Sequence, residues 1–578
     1  MLNSGHGHQT LGKLLSRCLR GAAGIAAGIG LAAAATSALA ADAHCDVVVI
    51  GAGGSGLTSA LSAAEAGAKV IVVEKMPFIG GNTVLATGFM LGVPKGEPRE
   101  LELLESDMIR KGGRTTDQAL LTRIVSGSGE AVEWLRSYGA ELEPLCITRD
   151  DSLQTACNLN EDGTVSKRGI QPKRGLIGPE IINALLHGIE SHGVPIRTRT
   201  AVKRITTDAE GRVNGVVVLN TKGREYRIDA PAVVIATGGF SANEAMVSRF
   251  ARHTQGLQST NSPAATGDGI LLAENMGART VDMHAVTVHP TTLPFSGLIL
   301  PHQVRVNGAI LVNDKGERFA DELSEKLAEQ IRDKNSGRAW LIFDQAMIDD
   351  MPVLKSYARS GYFIRGTSDL ELARGIRVPP EKFHETLVRY RSMVDRQEDT
   401  DFGRPQLLSR LDSSPLYAVS VRPGIHTTLG GLKIDPRARV LSDKGPIAGL
   451  YAAGEVTGGV LGARRLEGAG LTAAIVYGRI AGTEAADWAK LRAKTKPATG
   501  TGGRGPLRRQ TTQPDAASVI MVPQNPRRPF LCQSFASFTR PTGTSARDSE
   551  RSPARTTSGS SSATFSNSSR SAGPMSFF

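Results

Sequence analysis

Apolar residues form short blocks near the start of the central part of the chain. Residues 47–50 are a β-branched run, an Ala-rich segment follows from about residue 54, and a second apolar run covers residues 70–73. Short, wholly apolar runs are typical of strands buried on both faces, and the segment between them has the length of a helix. The pattern therefore predicts a strand–helix–strand unit.

The loop of this unit has the chemistry of a phosphate site. It reads Gly51-Ala-Gly53-Gly-Ser-Gly56, and the second run ends in Glu74. Gly51 permits a tight turn, Gly53 lets the backbone approach a pyrophosphate, and Gly56 lets the helix pack on the sheet. Glu74 can then accept hydrogen bonds from a ribose. The glycine motif alone often marks only a turn, but all the flanking elements stand at the expected spacing, so we predict a dinucleotide site.

The two ends of the chain have a different pattern. Residues 1–41 combine three basic residues with an Ala/Gly-rich apolar run and an Ala-x-Ala pattern near Ala40, which predicts an export signal. An uncleaved membrane anchor is the alternative. Residues 491–578 are rich in Ser, Thr, Arg, Pro and Gly without apolar periodicity, so a disordered basic tail is expected. We expect a periplasmic or secreted protein without a stable membrane anchor after cleavage.

The formal net charge of +12 is concentrated at these ends. Residues 491–578 hold 13 Lys/Arg against 3 Asp/Glu, and residues 1–41 add three basic residues, which leaves residues 42–490 at −1. A nearly neutral body argues against a nucleic-acid partner. The cysteines form no Cys-x-x-Cys, so attached c-type haem, a zinc ribbon and an iron–sulfur cluster are not indicated, and no metal is expected. Cys146 and Cys157 are candidates for a disulfide.

Several later motifs resemble one flavoprotein family. Glu74-Lys75 is followed by Gly80-Gly81-Asn82-Thr83, and then come "PAVVIATGGF" (231–240), "TGDG" (266–269) and "GLYAAGEVTGGVLGARRLEGAGLTAAIVYGRIAG" (449–482). In this order the blocks resemble the FAD-dependent fumarate reductase and succinate dehydrogenase flavoproteins, and in particular the soluble flavocytochrome c branch without its haem domain. The resemblance covers roughly residues 45–488. It implies FAD as the cofactor.

The resemblance also implies a domain organisation. The fold class is α/β, with a Rossmann-like FAD-binding domain, built as a parallel sheet with helices on both faces, interrupted by an α+β capping domain. Relatives use such a cap to close over the flavin and exclude water. The predicted parts are a signal peptide (1–41), the first part of the FAD-binding domain (42–285), the capping or substrate domain (286–424), the second part of the FAD-binding domain (425–490) and the tail (491–578).

The cofactor contacts follow from the same match. Asp268 is implied to touch the cofactor, Glu455 to lie at a ribityl position, and Gly470 and Leu471 to lie under the isoalloxazine. Asn82 stands where membrane-bound relatives have a histidine joined to FAD, so non-covalent FAD is expected. The full set of expected contacts is Gly51, Gly53, Ser55, Gly56, Glu74, Asn82, Thr83, Thr87, Gly88, Val202, Asp268, Glu455, Gly470 and Leu471.

Three residues are implied to bind substrate. His289, in Val-His-Pro-Thr, matches a substrate-binding histidine, although a histidine beside a proline turn is also typical of a core position. Arg465 matches the arginine that grips a carboxylate bidentately, a task that suits a planar guanidinium. His426 matches the first histidine of His-x-Thr-x-Gly-Gly, near the N1 and O2 edge of the flavin. Thr427 stands where some soluble fumarate reductases have a second histidine.

The expected proton-transfer residues lie between positions 302 and 326. Arg305 matches the arginine of a V-R-x-N-G-A-I motif, His302 stands where relatives have a glutamate, and Lys326 stands where they have an acid arginine. A lysine desolvated beside Arg305 would have a lowered pKa and act as a general acid, with His302 as a relay.

A second interpretation of Lys326 stays open. Residues 320–334 have the pattern of an amphipathic helix, on which Glu322 and Lys326 would form an ordinary exposed pair four residues apart. Arg332 on the same helix is the alternative donor.

The leading hypothesis is an FAD-dependent oxidoreductase that reduces the C=C bond of an α,β-unsaturated carboxylic acid, by hydride transfer from flavin N5 and side-chain proton donation. Because Lys326 and Thr427 depart from the family pattern, a larger or mono-carboxylate enoate is favoured over fumarate. The first alternative is a dehydrogenase that desaturates a polycarboxylate or a 3-ketosteroid-like substrate. The second is a secreted, non-catalytic flavin-binding protein. With no haem motif in the chain, the enzyme hypotheses imply an external electron donor such as a cytochrome.

Overall fold

The computed structural model describes residues 41–145 and 166–495. The expected signal peptide up to residue 40, the Cys146–Cys157 pair and residues 496–578 lie outside the described residues. In the described ranges no helix combines the length and the apolar character needed to cross a membrane. The last helix ends at Thr495, so it continues into the range that the sequence assigned to the tail.

The strands of the described ranges are, in chain order, β1 (Ala41–His44), β2 (Val47–Ile50), β3 (Val70–Val73), β4 (Met90–Leu91), β5 (Leu142–Pro144), β6 (Gly169–Pro172), β7 (Ile196–Arg197), β8 (Thr200–Thr207), β9 (Val213–Asn220), β10 (Glu225–Asp229), β11 (Ala232–Ile235), β12 (Gln258–Ser259), β13 (Thr280–Val281), β14 (Val286–Thr292), β15 (Ile310–Val312), β16 (Ala339–Asp344), β17 (Ile364–Gly366), β18 (Leu416–Thr428), β19 (Gly431–Lys433), β20 (Arg439–Ser442), β21 (Gly445–Ala452) and β22 (Thr457–Gly458).

The α-helices are α1 (Gly54–Glu65), α2 (Pro98–Gly112), α3 (Gln118–Ser137), α4 (Ile177–Ser191), α5 (Glu244–Phe250), α6 (Asp268–Glu274), α7 (His302–Val306), α8 (Leu327–Lys334), α9 (Gln345–Asp350), α10 (Pro352–Arg359), α11 (Asp369–Ile376), α12 (Pro380–Arg396) and α13 (Ala469–Thr495). Short 3₁₀ turns cover Thr83–Leu85, Gly113–Thr115 and Arg252–Thr254.

The main sheet has the strand order β20-β21-β11-β2-β3-β7, in which all neighbours are parallel except β20 and β21. All four residues of β2, β3 and β11 are buried, which explains why these strands are wholly apolar rather than alternating. Helices α1 and α13 pack against the sheet and against each other. The predicted α/β class with a parallel sheet is confirmed.

Small residues allow α1 and α13 to approach closely. A Cβ atom at Gly482 would lie 2.2 Å from the carbonyl oxygen of Ser59, so any larger residue there would force the helices apart. Ser and Ala line the same contact on α1, where residues 54–63 are buried. The Ala-rich composition of the first predicted helix therefore reflects a helix buried on nearly all sides.

A second sheet has the order β1-β10-β9-β8, with β9 packed against β11 and β21 of the main sheet. Its strands β8, β9 and β10 form an antiparallel meander, while β1 runs parallel to β10. The short sheets β13-β19-β22 and β4-β6-β5 complete this part of the molecule.

A separate hydrophobic core is built by residues between Leu293 and Val421, which we call the cap. Its sheet has the order β12-β18-β16-β15, and β14 and β17 pair with β18. Helices α7 to α12 lie within the same stretch of chain. The 13-residue strand β18 begins in the cap and ends at Thr428, outside it. The segment between the two halves of the main domain is therefore an α+β unit.

The predicted helix over residues 320–334 is too long. Helix α8 begins at Leu327, and residues 321–326 form turns. The reason is Glu322, whose side chain is fully buried and paired with Arg318 and Arg404 instead of facing solvent. The prediction of an exposed ion pair between Glu322 and Lys326 is therefore wrong.

Candidate active site

One cavity of about 380 Å³ joins the glycine loop to the edge of the cap. This volume lies in the range of cofactor and small-molecule sites, which is roughly 300–1,000 Å³. The expected site residues that line it are Gly51, Gly53, Ser55, Glu74, Asn82, Thr83, Thr87, Gly88, Val202, Asp268, His289, His302, His426, Glu455, Arg465, Gly470 and Leu471. Gly56, Arg305 and Lys326, all in the described ranges, are not among the lining residues.

The glycine loop lies at the carboxyl end of β2 and leads into α1. Gly51 has φ of 105°, and a Cβ atom there would lie 2.4 Å from the carbonyl oxygen of Ala236. A Cβ atom at Gly56 would lie 1.9 Å from the carbonyl oxygen of Gly51, so this residue serves helix packing rather than ligand contact. At Gly53 the nearest atom to a Cβ would be 3.8 Å away, and a side chain would project into the cavity. This loop therefore has the room and backbone that a pyrophosphate requires.

Glu74 is fixed by backbone N–H groups at the end of β3. One carboxylate oxygen accepts from Ala52 N at 2.9 Å and the other from Met76 N at 2.8 Å. Farther along the cavity, Asp268 pairs with Lys75, whose Nζ lies 2.6 Å from Oδ2. Lys75 was not among the expected residues, although it follows Glu74 directly. The two acids and this lysine provide polar groups suited to a ribose and an adenine.

Glu455 and Asn82 meet in the middle of the cavity. Asn82 donates through Nδ2 to Glu455 at 3.3 Å and accepts from Ser262 N at 2.8 Å. Glu455 also accepts from the backbone N–H of Thr428 at 3.0 Å. Burial raises the pKa of Glu455, and these hydrogen bonds oppose the shift. Since Asn82 is held by two partners, its amide is a fixed polar group beside the position implied for the ribityl chain.

Arg465 and His426 form the substrate end of the cavity. Arg465 donates through Nη2 to Nε2 of His426 at 2.7 Å and through Nε to Oγ1 of Thr427 at 3.3 Å. A guanidinium has no acceptor, so Nε2 of His426 must accept the bond and is unprotonated. The ring proton is therefore on Nδ1, which lies 3.2 Å from Oγ1 of Thr260 and donates to it. Burial, followed by the charge of Arg465, lowers the pKa of His426 to about 3. A neutral histidine therefore orients the arginine.

His289 lies next to this pair because β14 and β18 are neighbours. The two histidine rings are 5.6 Å apart between centroids and inclined at 73°. Nδ1 of His289 accepts from the backbone N–H of Thr291 at 3.3 Å, which leaves Nε2–H as its donor. Burial lowers the pKa of His289 well below its usual value, and the positive charge of Arg305 acts in the same direction. His289 is therefore a neutral hydrogen-bond donor at the cavity wall.

His302 and Arg305 both lie on the short helix α7. Arg305 is 4% exposed and donates through Nη2 to Nδ1 of His302 at 3.1 Å. Burial lowers the pKa of His302, and burial also lowers the pKa of Arg305, to about 10. His302 reaches the cavity, and Arg305 stands directly behind it.

A buried charge network in the cap holds Arg305 in place. Glu322 accepts from Nε and Nη2 of Arg318 at 2.8 and 2.7 Å and from Nη1 of Arg404 at 3.1 Å. Arg318 also pairs with Asp399 at 2.8 Å. Arg305 donates through Nη1 to the backbone oxygen of Glu322 at 2.5 Å. The carboxylates of Glu322 and Asp399 thus balance the charges of Arg318 and Arg404. Neither carboxylate forms an ion pair with Arg305.

Lys326 lies outside this cluster. It is an exposed residue at the N-terminus of α8, and the desolvated position that would favour a general acid is not found. Arg332 is also on the surface, where it pairs with Asp333 at 2.8 Å. Glu325, the residue before Lys326, accepts from Arg464 at 2.6 Å in an exposed ion pair, which connects this turn to the neighbour of Arg465. The role of Lys326 as the proton donor stays a prediction.

Glu467 is a site residue that the sequence interpretation missed. It lines the cavity, and its Oε1 lies 3.9 Å from Nδ1 of His302. The motif Arg464-Arg465-Leu466-Glu467 places it two residues after the expected carboxylate clamp. Nothing in the sequence, however, indicates that α7 approaches this loop.

Comparison with known proteins agrees with this arrangement. A family profile described as an FAD binding domain matches residues 46–471. A fumarate reductase (cytochrome) of Shewanella frigidimarina is 36% identical over 455 residues, which are 77% of this chain and 77% of the relative. The solved open conformation of a flavocytochrome c3 fumarate reductase has a TM-score of 0.67 at 34% identity and covers 78% of this chain and 79% of that chain.

A solved structure of another activity is also similar. The 3-ketosteroid-Δ4-(5α)-dehydrogenase from Rhodococcus jostii RHA1, in complex with 4-androstene-3,17-dione, has a TM-score of 0.57 at 26% identity, over 78% of this chain and 99% of that chain.

The glycine loop lies at the edge of a parallel sheet, and the arginine–histidine cluster lies in the same cavity. Together they define an FAD-dependent oxidoreductase that acts on CH–CH groups. The resemblance derived from the motifs is thereby confirmed. The chain belongs to the FAD-dependent fumarate reductase family.

Proposed function

We propose that this protein reduces the C=C bond of an α,β-unsaturated carboxylic acid. The observation that carries the proposal is Arg465, held by neutral His426 in the cavity that also contains the glycine loop. An arginine fixed in this way presents its remaining N–H groups to a planar carboxylate.

The chain's own residues have distinct tasks in this reaction. Bound FAD, in its reduced form, supplies a hydride. Arg465 binds the carboxylate and polarises the alkene, and Nε2–H of His289 donates a second hydrogen bond. Both histidines are neutral, so they orient the substrate without competing for its proton. The edge of the cap lines the cavity, and closure of the cap over the substrate would exclude water during hydride transfer.

For the proton we propose Lys326 as the donor, with His302 and Arg305 as the relay. The support is the ion pair between Glu325 and Arg464, which are the sequence neighbours of Lys326 and Arg465, together with the length of a lysine side chain. The proposal requires this exposed side chain to rotate toward the cavity, because Lys326 does not line the cavity in this structure.

The reverse reaction is the second candidate. The likeness to a 3-ketosteroid dehydrogenase favours it, because a desaturating enzyme needs a base where a reductase needs an acid. Fixed Arg465 argues for the reductase, since a guanidinium fork suits a carboxylate better than a ketone.

The cofactor linkage, electron source and location are parts of the same proposal. FAD is held non-covalently because Asn82 cannot form the bond that a histidine forms, so acid precipitation should leave the yellow flavin in the supernatant. Electrons come from an external donor such as a cytochrome, and the protein acts in the periplasm or outside the cell, in line with the signal pattern at the N-terminus.

Anaerobic reoxidation of the flavin tests the reaction. The full chain is loaded with FAD, reduced chemically and mixed with a panel of enoates, while flavin absorbance is recorded for the wild type, Lys326→Ala and the matched surface control Lys315→Ala. Rapid reoxidation by one enoate, lost only in Lys326→Ala, supports both the reductase and its acid. Reoxidation that survives in Lys326→Ala excludes this donor. If no enoate reoxidises the flavin, the reductase proposal fails and saturated acids and steroids are tested with oxidised flavin.

A further inference from the structure

Glu467 introduces a negative charge at the substrate end of the cavity. Its side chain is 55% exposed and lines the same space as Arg465 and His302. A carboxylate in this position is unexpected for a site that binds an anion, because like charges repel and disfavour binding. It therefore requires a functional explanation.

The charges around the substrate end give that explanation. Arg465 and Arg305 each contribute a positive charge, and the carboxylate of Glu467 acts on both of them, while Glu455 also acts on Arg465 from farther along the cavity. Arg318 and Arg404 are balanced by their own buried carboxylates. The nearby histidines are neutral because burial lowers the pKa of His289, His302 and His426. Glu467 therefore offsets part of the positive charge of the two arginines before any substrate binds, which leaves less positive charge for a second substrate carboxylate.

Other charged groups near the cavity mouth do not change this balance appreciably. Lys111 and Arg464 share Glu325 as their partner, with side chains 37% and 63% exposed, and Lys326 is exposed as well. Solvent and salt screen charges at such positions.

We propose that Glu467 determines the substrate class, so that the site accepts an enoate with a single carboxylate and rejects a second carboxylate. The proposal rests on the proposed function and specifies its substrate. Arg465 binds the one carboxylate. The far end of the substrate meets Glu467 and His302, where a neutral group, such as an ester, an amide or a hydroxyl-bearing ring, avoids the repulsion that a second carboxylate would suffer.

A matched pair of substrates isolates the effect. Fumarate and monomethyl fumarate share the same conjugated alkene and differ in one carboxylate. We expect wild-type enzyme to favour monomethyl fumarate in kcat/KM, and Glu467→Gln to shift the ratio toward fumarate by about tenfold or more, because the like-charge repulsion is removed. Glu381→Gln, an exposed residue of α12 outside the cavity lining, should leave the ratio unchanged.

Binding to the oxidised enzyme gives a second readout that needs no turnover. Succinate and monomethyl succinate are titrated and followed by the flavin difference spectrum, and the ratio of their Kd values should shift in the same direction in Glu467→Gln. A merely structural role for Glu467 would weaken both ligands alike. Ratios that stay within about twofold of wild type in both assays would overturn the inference. If no enoate reoxidises the wild-type flavin, the reductase proposal fails, while the binding ratios still decide the role of Glu467.

Discussion

Replacing Glu322 by glutamine should destabilise the cap strongly although the two side chains have almost the same shape. Glu322 is completely buried and accepts four hydrogen bonds, three from Arg318 and Arg404 and one from the backbone N–H of Leu311 at 3.1 Å. Without its charge, Arg318 keeps Asp399, but Arg404 loses its carboxylate partner. The amide group of glutamine would also direct N–H groups toward guanidinium N–H groups.

The expected loss follows from the burial of the ion pair. Removing one partner of a buried pair leaves an uncompensated charge in a dry environment, and such changes destabilise a protein by about 3–5 kcal/mol. Glutamine retains one acceptor oxygen, so we expect a value near the lower limit, about 3 kcal/mol.

Urea unfolding followed by circular dichroism at saturating FAD measures the change. Asp314→Asn is the matched control, because the pair of Asp314 with Arg338 at 2.8 Å is about half exposed and should contribute no more than about 1 kcal/mol. A loss in Glu322→Gln no larger than in Asp314→Asn would refute the argument that the network is held together by a desolvated charge.

Three further changes test the site. Gly56→Ala should abolish or greatly weaken FAD binding, measured by flavin fluorescence, because its Cβ atom would lie 1.9 Å from the carbonyl oxygen of Gly51. Arg465→Lys should lower kcat/KM for the best enoate by about 100-fold, since lysine has no bidentate fork, whereas Arg464→Lys should change it less than about threefold. Stability should fall as the pH drops below about 6.5, because the unfolded chain then binds a proton at residue 426 that native His426 does not bind until about pH 3. His426 contributes at most about 1.4 kcal/mol per pH unit to this slope, and His289 and His302 add to it in the same direction, so His426→Gln should flatten the slope by that contribution in urea titrations. An unchanged slope in His426→Gln would contradict the neutral histidine.

The nucleotide end could be predicted from the sequence because its signals are local. The run 47–50, the glycine loop, the helix and Glu74 follow one another within one strand–helix–strand unit, and each has a separate physical reason. The same holds for Arg465, whose motif is contiguous with the last helix.

The substrate end depends on contacts between distant segments, which residue patterns do not reveal. Glu467 can be recognised as a site residue only in the structure, where α7 places Nδ1 of His302 3.9 Å from its Oε1. Glu322 has the spacing of an exposed helical residue, but its side chain is buried because it pairs with Arg318, four residues earlier, and with Arg404 from a distant part of the cap. Tertiary electrostatics, rather than local propensity, decided both positions.

The interleaved order of the main sheet determines when this protein can fold during its synthesis. The hydrophobic core of the cap is formed by one contiguous stretch, residues 293–421. In the main sheet, by contrast, β11 pairs with β2 on one side and, on the other, with β21, which comes much later in the chain at residues 445–452. Until the ribosome has released that strand, β11 has an unpaired edge, and α1 lacks the helix α13 that covers it. A chain cut short before residue 445 would therefore retain a complete cap and a glycine loop, yet expose a hydrophobic strand edge that promotes aggregation.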